Sequence, residues 1–112
     1  MISIETYYEN LKKFAPTKGL ILNPDMDIVK PLLAGLLTNG ERYGYRSCPC
    51  RPATGEIKKD RDIVCPCDYA KPDIEEYGAC YCWLFVSPEW IDKKVPHIQI
   101  PERRPPEKIL DI

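Results

Sequence analysis

Ile4, Tyr7, Leu11 and Phe14 recur at the spacing of one helical face and predict a helix near the N-terminus. Ser3 and Thr6 are its candidate start signals, Lys12 and Lys13 suit its last turn, and Pro16 and Gly19 break it. A short apolar step, Leu20-Ile21-Leu22, leads through Asn23-Pro24-Asp25 to a second stripe at Ile28, Leu32, Leu33, Leu36 and Leu37. With Asp27 as the cap, Pro31 falls in the first turns of that helix, where proline is tolerated. Asn39-Gly40 offers a stop, and Glu41-Arg42-Tyr43 offers one further turn.

From residue 44 the periodicity thins out, and Gly or Pro recurs every few residues. Pro72–Tyr77 reads as a short helix with proline at its first position. Trp83-Leu84-Phe85-Val86 suits a buried strand or core segment, and Ser87-Pro88 begins a last helical turn. The tail from Val95, with Pro96, Pro101, Pro105 and Pro106, reads as extended chain along the surface. The picture is one domain over residues 1–112: two helices and irregular loops wrapped around a cysteine-bound centre.

Length and composition narrow the class. A chain of 112 residues buries roughly two-thirds of its unfolded surface, so it needs no staples to fold. Sixteen basic against 17 acidic residues argue against a nucleic-acid protein. No apolar run approaches the roughly 20 residues of a membrane span, and Met1–Asn10 has neither the basic nor the apolar region of a signal peptide. A cytosolic (cytoplasmic) location is expected, where clustered cysteines signal metal or redox chemistry. Charge is uneven along the chain. Residues 41–61 carry six basic side chains (Arg42, Arg46, Arg51, Lys58, Lys59, Arg61) against three acidic ones, whereas residues 62–92 carry seven acidic ones against Lys71.

All six cysteines fall in three C-x-C pairs: Cys48-Pro49-Cys50, Cys65-Pro66-Cys67 and Cys80-Tyr81-Cys82. Structural zinc usually takes C-x₂₋₄-C pairs, so three C-x-C pairs are atypical for it. Six cysteines paired as disulfides fit the compartment poorly. A third division is four thiolates on a [4Fe–4S] cluster and one reactive dithiol. Within each pair the Cα atoms lie at most about 7 Å apart, so a ligand keeps its neighbour's thiol beside the cluster. The intervening proline stiffens the turn.

C-P-C-R-P at 48–52, D-I-V-C-P-C at 62–67 and E-Y-G-A-C-Y-C at 76–82 resemble the catalytic (beta) subunit of ferredoxin:thioredoxin reductase, over roughly residues 28–90. The resemblance implies a small α-rich iron–sulfur domain with minor β structure. It implies Cys48, Cys65, Cys67 and Cys80 as cluster ligands and Cys50 and Cys82 as the redox-active disulfide. Tyr81 stands where the plant-type family has histidine. The gaps of 14 residues after Cys50 and 12 after Cys67 also differ, as in divergent archaeal and bacterial members.

The activity so implied is an enzyme's. Single electrons pass from a ferredoxin-like donor, through the cluster and the Cys50–Cys82 disulfide, to a thioredoxin- or glutaredoxin-like protein held in a transient mixed disulfide. The chain acts with or without a second subunit, and with no nucleic-acid or membrane partner. A simple iron–sulfur carrier and a zinc-binding interaction module are the alternatives. Arg51 and Arg46 either favour the Cys50 thiolate or solvate their loop. Tyr81 either donates a hydrogen bond or covers the cluster, and His97, fifteen residues past Cys82, reads as a surface side chain. The basic 42–61 stretch suits an acidic donor. Trp83, Phe85 and Trp90 read as core and cluster shielding.

Overall fold

The computed structural model describes residues 2–110. Helix α1, Ile4–Phe14, starts at Ser3, whose Oγ accepts from Thr6 N–H at 3.1 Å, as an N-cap should. It buries Tyr7 and Leu11, but Phe14 is exposed. A 3₁₀ turn over Ala15–Lys18 tightens the chain there, so Ala15 points inward instead. Gly19, at φ +70°, ends this turn.

Helix α2 runs Met26–Tyr43 and is capped by Asp25, whose side chain accepts from Asp27 N–H, so the cap lies two residues earlier than Asp27. Pro31 consequently sits inside the helix; it and Asp27, whose carbonyl loses its usual partner, are both exposed. The helix passes Gly40 and stops at Gly44, where φ is +84° and only glycine is unstrained. Its buried face is Val29, Leu33, Leu36 and Leu37, with Ile28 and Leu32 half-buried. Gly35 lies under the first cysteine pair: a Cβ there would stand 2.8 Å from Pro49 Cβ.

The remaining helices are short: α3 (Ile57–Asp60), α4 (Ala70–Tyr77), α5 (Pro88–Ile91) and α6 (Pro106–Leu110). Pro72 is thus third in α4, rather than first. Among the described residues, β structure is confined to three isolated antiparallel bridges, each next to a cysteine pair or its support. Ser47 faces Val64, with Cys48 N–H donating to Ile63 O (2.7 Å) and Cys65 N–H to Arg46 O (2.9 Å). Ala79 faces Val86, folding residues 79–86 into a tight loop closed by Cys80 N–H to Phe85 O (2.9 Å). Leu22 faces Phe85, which docks that loop against the chain between the helices.

Buried Asn23 fixes the docking, since its Nδ2 donates to Trp83 O (2.8 Å) while its Oδ1 accepts from Asp25 N–H (2.9 Å). Trp83 is held at φ +66°, in the left-handed region. One core cluster gathers α1, α2 and Leu84-Phe85, and it includes Cys80. A second gathers Ala79, Val86, Trp90 and Ile100. The tail is therefore not mere surface, because Ile100 and Arg104 are both buried. No helix among the described residues is long and apolar enough to cross a membrane.

Candidate functional site

The three cysteine pairs come from separate loops and meet at one cavity. Cys48, Cys65, Cys67, Cys80 and Cys82 line it, with apolar walls from Leu32, Pro49, Ala70, Leu84 and Phe85. The space between these walls, mouth included, is about 340 Å³. Cys50 is exposed, yet its sulfur lies within 4.8 Å of those of Cys48 and Cys82. Cys48 Sγ and Cys82 Sγ are 2.9 Å apart. All six cysteines of the three motifs therefore gather at one place, with Cys50 facing solvent.

The thiols are electrostatically unlike. Hydrogen bonds from the Cys48 and Cys82 thiols pull the Cys50 pKa down. Hydrogen bonding with Cys48, and then with Cys50, pushes Cys82 up, with burial adding to both. Burial raises Cys65 well above the ordinary thiol range, raises Cys67, and takes Cys80 to about 11. A buried thiolate in an apolar wall is costly without a cation or a hydrogen-bond donor. Two donors are built in: Phe85 N–H reaches Cys80 Sγ at 3.4 Å, and Arg51 Nη1 reaches Cys67 Sγ at 3.5 Å. Several sulfurs around one space, apolar walls and donors aimed at sulfur fit an iron–sulfur group, for which soft thiolates are the usual ligands.

Arg51 differs from its expected part. It is buried, and its guanidinium faces Cys67 Sγ and, at 4.0 Å, Cys48 Sγ. It neither solvates the loop nor chiefly serves Cys50. Arg46 lies over the Tyr7 ring at 4.3 Å, beside Cys65 rather than Cys50. Glu102, in the tail, grips Arg51 with both carboxylate oxygens at 2.9–3.0 Å. No local pattern marks Glu102 in the sequence, because its partner is 51 residues away.

Tyr81 lines the cavity, and its ring lies 4.3 Å from the Arg51 guanidinium carbon, in keeping with a covering role. His97 is exposed and stacked on Trp90, with centroids 3.5 Å apart, and is not among the cavity residues. It is the surface histidine expected.

Comparison with known proteins agrees with this geometry. The family model described as ferredoxin thioredoxin reductase catalytic beta chain matches residues 2–104. The ferredoxin-thioredoxin reductase, catalytic chain, of Porphyra purpurea is 28% identical over 97 residues, spanning 80% of this chain and 77% of the relative.

Proposed function

Because this chain belongs to the ferredoxin thioredoxin reductase catalytic beta chain family, we propose that it is an iron–sulfur disulfide reductase. Electrons would come singly from a ferredoxin-like donor and go to the disulfide of a thioredoxin- or glutaredoxin-like protein. The observation that carries the proposal is the meeting of the three C-x-C pairs, five cysteines lining one cavity while the sixth, Cys50, faces solvent. Cys48, Cys65, Cys67 and Cys80 would hold a [4Fe–4S] cluster, and Cys50 and Cys82 would form the redox-active disulfide. When bound, the cluster supplies one-electron storage between deliveries, which a two-electron disulfide reduction needs.

The chain's own residues do the rest. Cys50 is the exposed thiol with the lowered pKa. Its thiolate attacks one sulfur of the partner's disulfide; that bond breaks, a mixed disulfide forms, and the partner's other sulfur leaves as a thiolate that takes a proton. Cys82, half-buried and within 4.8 Å, then attacks Cys50 Sγ. The mixed disulfide breaks, the Cys50–Cys82 bond forms, and the partner departs as a dithiol. Two electrons from the donor and two protons balance the cycle. Exposed basic residues of the 42–61 stretch, Arg42 and Arg46 among them, would steer an acidic donor.

The test is iron, zinc and acid-labile sulfide content with an absorption spectrum, on protein purified without oxygen, and thiol alkylation before and after reduction. Visible absorption with about four irons, plus two thiols that alkylate only after reduction, is the expected result. Stoichiometric zinc with no visible absorption would leave an interaction module instead, and iron without a reducible pair would leave a carrier.

A further inference from the structure

The buried cation beside the cysteine cavity takes no step in the thiol exchange above. The Arg51 side chain is fully buried. Its Nε donates to both Glu102 oxygens at 3.0 Å, and its Nη2 donates to Glu102 Oε1 at 2.9 Å. Nη1 turns the other way, toward Cys67 Sγ at 3.5 Å and Cys48 Sγ at 4.0 Å. The guanidinium carbon lies 4.3 Å from the Tyr81 ring centroid and 5.1 Å from that of Tyr69. Glu102 is itself pinned by Arg104 N–H at 2.8 Å. An arginine does not lose its proton in a protein, so a permanent positive charge is fixed against two sulfurs of the cavity. Lysine could not reproduce this planar, forked grip.

We propose that Arg51 sets the redox potential of the iron–sulfur site, its charge raising the potential and the Glu102 charge opposing it. The proposal rests on the iron–sulfur reading of the cavity. Each electron that an external one-electron donor gives up adds one negative charge beside Arg51. No bond forms or breaks, and no proton moves on the guanidinium. A neighbouring cation favours the more negative state, and a neighbouring carboxylate disfavours it. In a water-poor cavity these effects are screened little. Glu102 thereby makes the C-terminal segment part of the redox site rather than a surface strap.

The two charges make opposite demands, which separates tuning from mere scaffolding. The full chain is loaded with iron and sulfide without oxygen, iron per chain is counted, and the midpoint potential is read by absorbance during a dye-mediated dithionite titration. Arg51→Gln removes the charge and leaves a neutral planar amide in its place. It should weaken electron uptake at least tenfold, ~59 mV lower for a one-electron couple. Glu102→Gln should shift the midpoint the other way. Should R51Q not load iron, the E102Q shift alone decides the matter. Equal potentials in loaded wild type and variants, or a fall in both variants, would overturn the proposal and leave the iron–sulfur reading intact. A wild-type chain that takes up no iron would overturn both.

Discussion

Arg104→Ala removes a cation from the polar centre that ties the tail to the cysteine loops. The Arg104 side chain is fully buried; its Nε donates to Asp62 Oδ2 at 3.0 Å and its Nη2 to Asp62 Oδ1 at 3.3 Å. It also donates to the carbonyls of Lys59 (3.2 Å) and Pro52 (3.4 Å), and lies 3.9 Å from Asp60. Asp60 keeps other donors after the substitution, namely Tyr45 O–H, the Thr54 N–H and hydroxyl, and Gly55 N–H. Asp62 keeps Tyr69 O–H at 2.6 Å and a distant, half-exposed Lys108. The cost therefore falls mainly on Asp62, a nearly buried carboxylate left without its cation. Removing one partner of a buried pair costs roughly 3–5 kcal/mol, a large share of the roughly 5–15 kcal/mol that holds a domain together.

With a urea slope of about 2 kcal/mol/M, the unfolding midpoint should fall by about 2 M at pH 7, read by circular dichroism without oxygen. Acid should narrow the difference. Burial tends to raise the Asp62 pKa, but Tyr69 and Arg104 outweigh it and hold the carboxyl below its ordinary value. Its ionised form thus adds stability above the unfolded pKa of about 3.9, and that contribution is lost as pH falls through the lower folded value. In the variant Asp62 protonates sooner and then needs no cation, so the two curves converge toward pH 3. Adding Asp62→Asn to the variant should return about 1 kcal/mol or more at pH 7, the usual size of coupling between neighbouring groups. A loss below about 1 kcal/mol at pH 7, or one that does not shrink in acid, would show that Arg104 is not the cation that holds Asp62 ionised.

Two other perturbations address the cavity directly. Gly35→Ala would gain about 1 kcal/mol of helix propensity in isolation. Here its Cβ would meet the stiff Pro49 ring at 2.8 Å, so thermal unfolding should come at a lower temperature than in wild type; a rise would show that the helix and the first cysteine pair do not press together. In reduced, metal-free protein, iodoacetamide at pH 6 should label Cys50 before Cys65 and Cys80 by peptide mass spectrometry. The first is exposed and its pKa is lowered, while burial raises the other two; uniform labelling would contradict that ordering.

The helical part of the fold was legible because it is periodic. Tyr7, Leu11, Leu33, Leu36 and Leu37 are buried as their spacing implies. The misplacements are local. Phe14 lost its inward position when the chain tightened into a 3₁₀ turn, and Asp25 outcompeted Asp27 as cap. The meeting of the three cysteine pairs was also legible, since six thiols in three tight motifs have few reasons to lie apart. The tail was not. Ile100, Glu102 and Arg104 sit among prolines without any period, and their partners are far away in sequence. Arg51 was visible as a basic neighbour of Cys50, but neither its burial nor its turn toward Cys67 can be read from adjacency.

What the tail contributes follows from how little else holds the cysteine loops. The third loop buries Cys80, Leu84 and Phe85 in the core that α1 and α2 share, but the backbone pairing of all three loops among the described residues is limited to isolated bridges and scattered turns. Three successive tail residues each reach a different segment bearing or preceding a cysteine pair. Glu102 binds Arg51, just after the first pair. Arg104 binds Asp62, just before the second. Arg103 binds Asp73 at 2.8 Å and Glu76 at 3.0 Å on α4, which leads into the third. Arg103 and Glu76 are partly exposed, so their contact is worth little by itself; the two buried arginines and the Arg103 contact to fully buried Asp73 carry the weight. A short extended stretch thus does what a helix would do in a larger protein, fixing three loops relative to one another. It does so with charges, while Ile100 anchors the same tail by apolar burial against Ala79, Val86 and Trp90.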